Sequence, residues 1–217
     1  MTDEPTAPTG AAFAGLVRAM ARDLLDRKDE LNRLDAVAGD GDLGLTVSTA
    51  CRALLELAPT LEALPEGDAI HRSGIEIARR APSTGGTLIA FALMAAAKAT
   101  VALDATPVER AAAYLEAAAD SIGQRGQVAP GDRTMLDALR PAAHAVRAAA
   151  DRGADATATV ETAARAAHEG AKSTASMPAK VGRAGWLAER AAGHEDAGAR
   201  LVALVLAAAA RPVAGEP

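Results

Sequence analysis

Aromatic residues are nearly missing from this chain, which has two phenylalanines, one tyrosine and one tryptophan among its 217 residues. Strands usually draw on aromatic and β-branched side chains, so this composition argues strongly against a β sandwich or barrel. The single cysteine, Cys51, can form neither an internal disulfide nor a cysteine-based zinc site. Because no run of about 18 uncharged apolar residues occurs, the sequence predicts no membrane span.

The chain also lacks an excess of positive charge. It has 23 lysines and arginines against 28 aspartates and glutamates, which gives a net charge of −5. The chain therefore carries no general electrostatic footprint for nucleic-acid binding. Its first ten residues are acidic and contain proline, unlike the charged and then apolar pattern of a signal peptide. We expect a cytoplasmic protein with neither nucleic acid nor membrane as a partner.

Alanine, in contrast, supplies 59 of the 217 residues and has the highest helix propensity. Apolar residues recur at helical spacing, and no shift in composition divides the chain. We predict one all-α domain, a bundle of about eight helices over residues 10–211, between a disordered leader (1–9) and a tail (212–217). The predicted helices are 10–26, 43–58, 69–80, 87–103, 107–122, 133–151, 154–173 and 196–210. Residues 28–36 are expected to form a short connecting segment, and residues 174–195 to be irregular.

The unusual chemistry lies in the loops, and the first loop, LDAVAGDGDLG, carries three aspartates: Asp35, Asp40 and Asp42. Glycines alternate with the last two and permit tight turns, so the carboxylates can reach one point. Close carboxylates repel one another unless a cation balances them, and oxygen ligands favour Mg²⁺ or Ca²⁺. The pattern favours a metal site over the alternative in which Asp40 or Asp42 only caps the next helix.

Three further loops are rich in glycine. PSTGGT, at 82–87, opens the most apolar helix, and either its backbone amides hold an anion or it is an ordinary helix-opening turn. The loops RGQVAPGDRTM (125–135) and GRAGWLAERAAGHEDAGA (182–199) contain arginines. A guanidinium there can pair with a phosphate or with a helix-terminal carboxylate, and the residues alone leave both interpretations open.

These four loops, in this order, resemble the nucleotide-binding L subunit of dihydroxyacetone kinases. The matching stretches are LNRLDAVAGDGDLG, SGIEIARRAPSTGG, RGQVAPGDRTMLDALRPA and GRAGWLAERAAGHEDAGA, and they run from about residue 31 to 199. The resemblance implies an eight-helix up-and-down barrel that holds a nucleotide by the loops at one end. It also implies ADP or ATP as the nucleotide, with two Mg²⁺ ions between its phosphates and the aspartates.

The resemblance assigns roles to residues in four groups. The implied metal ligands are Asp35, Asp40 and Asp42. The implied phosphate-side residues are Leu43, Gly44, Leu45, Thr46, Thr84 and Gly85. The implied base and pocket residues are Gly126, Met135, Asp196, Ala197 and Gly198. Arg183 is expected to contact the phosphates and to be the catalytic residue.

The resemblance also implies partners, because in this family a separate K subunit or domain holds dihydroxyacetone. The implied activity is that of a kinase subunit, inactive without a K-type partner, that passes phosphate to a short ketose. In one branch a phosphotransferase-system M subunit rephosphorylates the bound ADP, and a homodimer is left open. The alternatives are a kinase for a four-carbon keto-sugar or a carrier-bound acyl group, and a non-catalytic nucleotide-binding regulator.

Several positions depart from the family pattern. The family often has His at Leu43, Asn at Thr46 and Pro at Ala197, and it has a GGxSG-type loop where PSTGG stands. The change at Gly85 removes one hydroxyl from the phosphate side. We expect these departures to leave Mg-nucleotide binding intact and to bear on the acceptor and on the phosphotransferase partner.

Overall fold

The structure is a computed structural model that describes residues 10–99, 105–182, 185 and 187–211. The predicted leader, the predicted tail and Arg183 lie outside the described residues. The helices are α1 (Gly10–Asp26), α2 (Lys28–Ala38), α3 (Leu43–Glu62), α4 (Glu66–Arg80), α5 (Thr84–Ala97), α6 (Pro107–Gly126), α7 (Leu136–Asp151), α8 (Ala156–Ser173), α9 (Ala188–Ala191) and α10 (Ala197–Ala209), with a 3₁₀ turn at Thr174–Ser176. No strand occurs in these ranges, which confirms the all-α class. Among the described helices, none has the length and apolar character needed to cross a bilayer.

Eight of these helices form a closed ring. In the order α1, α3, α4, α5, α6, α7, α8 and α10, each helix packs against the next, and α10 returns to α1. This ring is the eight-helix barrel that the sequence predicted. The loops after α2, α4, α6 and α8 meet at one end of it, as the contacts below show, and this end is called the loop end.

Helix α2 lies beside the ring against α3, and the prediction of a connecting segment at 28–36 is wrong. The segment is too polar for a strong apolar stripe, and its helix is stabilised by contacts with other parts of the chain. Leu31 is fully buried among α1, α3 and α10. Glu30 pairs with Arg200 of α10, with 2.7 Å between Oε1 and Nε.

Small residues let the ring helices approach one another closely. One core cluster joins α6, α7, α8 and α10 through buried alanines: Ala112, Ala138, Ala142, Ala163, Ala167, Ala171, Ala199 and Ala203. Helices α7 and α8 are so close that a Cβ on Gly170 would stand 2.3 Å from the carbonyl oxygen of Asp137. The abundance of alanine therefore serves close packing as well as helix propensity.

The inside of the ring contains an apolar cavity of about 250 Å³. Seven of the ring helices line it, with side chains that include Val17, Val47, Ile77, Ile89, Ile122, Leu139 and Leu201. Its wall also includes Leu43, Thr46, Met135 and Gly198, four of the residues expected to contact a nucleotide. The cavity therefore reaches the loop end of the barrel.

Helix boundaries differ from the predictions where proline or a cap was misjudged. Helix α3 continues through Pro59, although the sequence predicted its end at residue 58, and α7 continues through Pro141. Helix α5 begins at Thr84 because the Ser83 side chain accepts the amide of Gly86 at 2.9 Å. Helix α6 begins with a capping box between Thr106 and Glu109.

Candidate functional site

The loop between α2 and α3 brings the three predicted metal ligands together. One carboxylate oxygen each from Asp35, Asp40 and Asp42 lies within 4.8 Å of the other two. Asp35 is half-buried on α2, whereas Asp40 and Asp42 are exposed in the loop and at its end. A set of three carboxylates fits Mg²⁺, which binds through oxygen ligands and keeps several of its waters.

Asp35 also holds this loop in place. Its Oδ2 accepts hydrogen bonds from the backbone amides of Gly41, Asp42 and Leu43 at 2.9, 3.1 and 3.4 Å. Gly41 has a φ of +77°, in the left-handed region that glycine enters without strain. The loop therefore folds back over the end of α2, and Asp35 positions the other two aspartates.

The start of α3 is capped from α2 and not by its own N-cap residue. Asp42 occupies the N-cap position, but its side chain makes no capping hydrogen bond. Asp35 accepts the amide of Leu43, and Asn32 Oδ1 accepts the amide of Leu45 at 3.3 Å. The alternative in which Asp42 serves as a simple cap is therefore wrong. These first-turn amides of α3 are already bonded within the chain.

Residues 43–46, expected on the phosphate side, lie in different surroundings. Leu43 and Thr46 line the apolar cavity, whereas Leu45 is 53% exposed. Gly44 is buried against α2, where a Cβ would stand 2.0 Å from the carbonyl oxygen of Lys28. The structure therefore brings only Leu43 and Thr46 to one surface.

The start of α5, in contrast, has open amides. Ser83 accepts the amide of Gly86 through its hydroxyl and that of Thr87 through its carbonyl, at 2.9 and 2.8 Å. The amides of Thr84 and Gly85 donate no hydrogen bond within the described part of the chain. A Cβ on Gly85 would meet nothing within 4 Å. Open amides at the positive end of a helix dipole favour an anion, so the geometry supports the anion-binding interpretation of PSTGGT.

The residues expected to border the base lie around one apolar surface. A Cβ on Gly126, at the end of α6, would stand 3.8 Å from Leu88 Cδ1 of α5. A Cβ on Gly198, at the start of α10, would stand 3.4 Å from Met135 Cβ. Val128 and Met135 pack on the same core cluster. Together with the cavity wall, these positions form the kind of apolar surface that receives a planar base.

Asp196 is the N-cap of α10, and Ala197 follows it, buried, in the first turn. The Asp196 carboxylate accepts the amide of Ala199 at 2.8 Å, and the Asp196 amide donates to Thr174 Oγ1 at 2.8 Å. Burial raises the pKa of Asp196 to about 6, and the positive charge of Arg133 opposes that rise. Asp196 is therefore mostly ionised at pH 7, with its charge held in a low-dielectric setting.

Two described residues on either side of Arg183 in the chain, Lys180 and Arg190, contact the site. Arg183 itself lies outside the described residues, so its expected role stays a prediction. Before it, Lys180 Nζ pairs with Asp132 Oδ1 at 2.8 Å. After it, Arg190 Nη2 donates to the carbonyl oxygen of Ala36 at 3.4 Å. These contacts join Lys180 to the 127–135 loop and Arg190 to α2.

Sequence reasoning missed positive charge beside α2. An open groove of about 430 Å³ lies between α2 and the α9 region, and Arg33, Ala36, Val37, Arg190 and His194 line it. Its three basic residues are exposed. The two sides of the groove are more than 150 positions apart in the chain, so no local motif could have indicated it.

Comparison with known proteins agrees with this arrangement. A family model described as the DAK2 domain matches residues 37–211. The chain belongs to the DAK2 domain family. The resemblance that the four loops indicated is thereby confirmed, since a member of this family is an ADP-binding subunit of a dihydroxyacetone kinase.

Several relatives of this DAK2-domain chain are kinases. D-erythrulose kinase of Mycolicibacterium smegmatis is 36% identical over 207 residues, which are 94% of this chain and 36% of that protein. Human triokinase/FMN cyclase is 32% identical, over 94% of this chain and 36% of that protein. The chain thus spans about a third of the length of these two relatives. The ADP-binding subunit DhaL of the PEP-dependent dihydroxyacetone kinase of Escherichia coli is 30% identical, over 81% of this chain and 84% of that subunit.

Solved structures share the fold. The dihydroxyacetone kinase of C. freundii in complex with AMP-PNP and Mg²⁺ superposes with a TM-score of 0.71 at 27% identity, over 96% of this chain and 35% of that chain. Its native form gives a TM-score of 0.72 at 29% identity. The similarity therefore covers nearly all of this chain and about a third of the solved enzyme.

Proposed function

We propose that this DAK2-domain chain is the Mg-nucleotide-binding part of a dihydroxyacetone kinase-like phosphotransferase, and that its nucleotide is ADP or ATP. The main observation behind the proposal is the aspartate cluster at the loop end of the barrel. One carboxylate oxygen each from Asp35, Asp40 and Asp42 lies within 4.8 Å of the other two. Two similar proteins support the proposal. The Escherichia coli relative is an ADP-binding subunit, and the C. freundii enzyme was solved in complex with AMP-PNP and Mg²⁺.

Three parts of the loop end bind different parts of the Mg-nucleotide in this proposal. Asp35, Asp40 and Asp42 hold Mg²⁺, and the proposal includes two ions. The open amides of Thr84 and Gly85 bind phosphate oxygens at the start of α5. The surface around Gly126, Met135 and Gly198 receives the base, and Asp196 and Ala197 close that side. Bound Mg²⁺ supplies positive charge that offsets the charge of the phosphates.

Arg183 is the proposed catalytic residue. As a phosphoryl group moves, negative charge spreads over its oxygens, and a guanidinium placed against them stabilises that state. Lys180 and Arg190, on either side of Arg183 in the chain, both contact the loop end. The competing role is structural, with Arg183 paired to Glu189 or Asp196.

The acceptor is proposed to come with a K-type partner that holds a short ketose. Phosphate reaches the site either from free ATP or from an M-type phosphotransferase protein. A four-carbon keto-sugar is the second candidate acceptor, because the relative with 36% identity is a D-erythrulose kinase.

Calorimetric titration with ADP and Mg²⁺ tests nucleotide binding. The unmodified chain should bind, and Asp40→Asn should bind at least about tenfold more weakly because a charged ligand is lost. Asp68→Asn is the matched control, since Asp68 is an exposed aspartate in the first turn of α4, away from the loop end. An unmodified chain that does not bind ADP with Mg²⁺ would refute the proposal.

Phosphate transfer tests the acceptor. The chain is mixed with a K-type protein and ATP, and dihydroxyacetone is compared with D- and L-erythrulose at equal concentration. Faster transfer to one sugar identifies the acceptor class. Nucleotide binding without transfer to any of these sugars would favour the non-catalytic regulator and count against the kinase.

A further inference from the structure

We propose that Arg133 is a positioning residue that clamps together the two loops on the base side of the site. This inference rests on the proposed nucleotide binding and extends it to a side chain that the family resemblance does not assign. Arg133 is only 4% exposed, so it acts through the loops that it holds and not through contact with a nucleotide.

The clamp consists of two hydrogen bonds from one nitrogen. Arg133 Nη2 donates to the carbonyl oxygen of Ala191 at 3.0 Å and to that of His194 at 2.9 Å. Both carbonyls belong to the turn that leads from α9 into α10, about 60 positions along the chain. Arg133 lies two residues before Met135, and the turn leads directly to Gly198. One guanidinium therefore joins the loops that carry these two proposed base contacts.

Electrostatic interaction adds to the clamp, because the positive charge of Arg133 favours the ionised form of Asp196 at the start of α10. Asp137 is 4% exposed, and it accepts the amides of Gly131 and Thr134 at 2.5 and 2.8 Å. The positive charge of Arg133 lowers the pKa of Asp196, whereas the negative charge of Asp137 raises it. Loss of Arg133 would remove this favourable charge from Asp196, while the unfavourable charge of Asp137 would remain.

The backbone at Arg133 shows that this placement is maintained against local preference. Its φ is +63°, in the left-handed region that non-glycine residues rarely adopt. Its Nε is buried and donates no hydrogen bond within the described part of the chain. A strained backbone and an unsatisfied buried donor persist only where the surroundings determine the conformation, and both concentrate at functional sites.

The Mg²⁺ side of the site has separate support. Asp35 and Asn32, both on α2, hold the aspartate loop and the start of α3. Arg133 instead sets the contact between Met135 and Gly198, where a Cβ on Gly198 would be 3.4 Å from Met135 Cβ. Loss of the clamp should therefore weaken recognition of the base and leave the aspartates and the start of α5 in place to bind the phosphates.

The test compares ADP with pyrophosphate, each with Mg²⁺, by calorimetry on the full chain. Arg133→Met removes the donors while keeping an unbranched apolar stem. Arg133→Lys keeps a cation that can donate to the same carbonyls. Arg110→Met is the control, because Arg110 is a half-buried arginine whose Nε donates to Glu66 Oε2 at 3.0 Å near the starts of α4 and α6. Circular dichroism sets a temperature at which every variant is folded.

Arg133→Met should weaken ADP binding by about tenfold or more, the scale of losing one or two charge-assisted hydrogen bonds. Pyrophosphate affinity should stay within about twofold, since the aspartate loop and the start of α5 are held by contacts that do not involve Arg133. Arg133→Lys should keep ADP affinity within about threefold, and Arg110→Met should match the unmodified chain for both ligands. If Arg133→Met does not fold, Arg133→Gln, which retains one amide group, should show a smaller loss confined to ADP.

Two outcomes would overturn the inference. Equal losses for ADP and pyrophosphate would show a general structural role, and unchanged ADP affinity would show that the clamp is not needed. An unmodified chain that binds neither ligand would instead reject the proposed function, on which the inference rests. Failure of the proposed function can be distinguished from failure of the Arg133 inference, because the unmodified chain alone reveals it.

Discussion

Asp35 is predicted to serve both as scaffold and as metal ligand, and Asp35→Ala removes both functions at once. Its Oδ2 accepts the amides of Gly41 and Asp42 at 2.9 and 3.1 Å, and that of Leu43 at a weaker 3.4 Å. Asp42→Asn is the matched variant, because it removes a carboxylate from the same cluster and leaves those three amide bonds in place.

The expected loss of stability follows from the two shorter bonds. A hydrogen bond to a charged group contributes about 1.5–3 kcal/mol, but amides in a partly exposed loop regain water when the acceptor is removed. We therefore expect Asp35→Ala to lower the free energy of unfolding by about 2 kcal/mol. In a chain of this size that corresponds to a fall in melting temperature of about 4–8 °C. Asp42→Asn should lower the melting temperature by less than half as much.

Scanning calorimetry with and without ligand separates the two functions. At about a hundred times Kd, ADP with Mg²⁺ should add about 2.7 kcal/mol to the unfolding free energy of the unmodified chain. Both variants should lose about half of that gain or more, and a chelator should abolish it. If Asp35→Ala melts like the unmodified chain, Oδ2 does not hold the loop. If both variants keep the full ligand shift, the aspartates are not metal ligands.

Two further predictions concern Asp196 and Arg183, which both belong to the 182–199 loop. Because burial raises the pKa of Asp196 to about 6, above about 3.9 in the unfolded chain, its ionised form lowers stability above pH 6. Asp196→Asn, which can still cap α10, should therefore melt above the unmodified chain at pH 8. This difference should disappear as the pH falls from about 6 to 4, and a pH-independent difference would contradict it. Arg183→Ala should slow phosphate transfer to a K-type partner's sugar by about 10²-fold, with partial rescue by Arg183→Lys. Normal turnover with a lowered melting temperature would assign Arg183 a structural role.

The ring helices could be predicted because their signals are local. Alanine content, apolar spacing and the cap at Thr106 are properties of short segments, and the structure confirms the helices that they predicted. Helix α2 could not be predicted this way, because Leu31 and Glu30 are stabilised by contacts with residues of α3 and α10. A short polar segment carries no sign of such distant partners.

The same distinction applies to the candidate site. The aspartate cluster is predictable because Asp35, Asp40 and Asp42 share one short loop. The buried hydrogen bonds from Arg133 to the turn before α10 could not be predicted. They join positions about 60 residues apart, and their acceptors are carbonyl oxygens of the turn. Backbone acceptors have no residue identity, so no sequence motif can specify them.

The final prediction compares the starts of α3 and α5, which both lie at the loop end. The start of α3 is packed against α2, whereas the start of α5 has free space around it. Gly44 has no room for a side chain, whereas a Cβ on Gly85 meets nothing within 4 Å. Alanine is also favoured over glycine in a helix by about 1 kcal/mol, so Gly85→Ala should keep or raise the melting temperature.

The new methyl group of Gly85→Ala would occupy the space proposed for a phosphate. It should therefore weaken binding of ADP with Mg²⁺ by about tenfold, or about 1.4 kcal/mol. Gly44→Ala should instead destabilise the fold itself, since its Cβ would stand 2.0 Å from a backbone oxygen of α2. Melting curves and ADP titrations of both variants give the answer. Full ADP affinity in a stable Gly85→Ala chain would show that the phosphates do not lie at the start of α5, and the anion would have to be held elsewhere at the loop end.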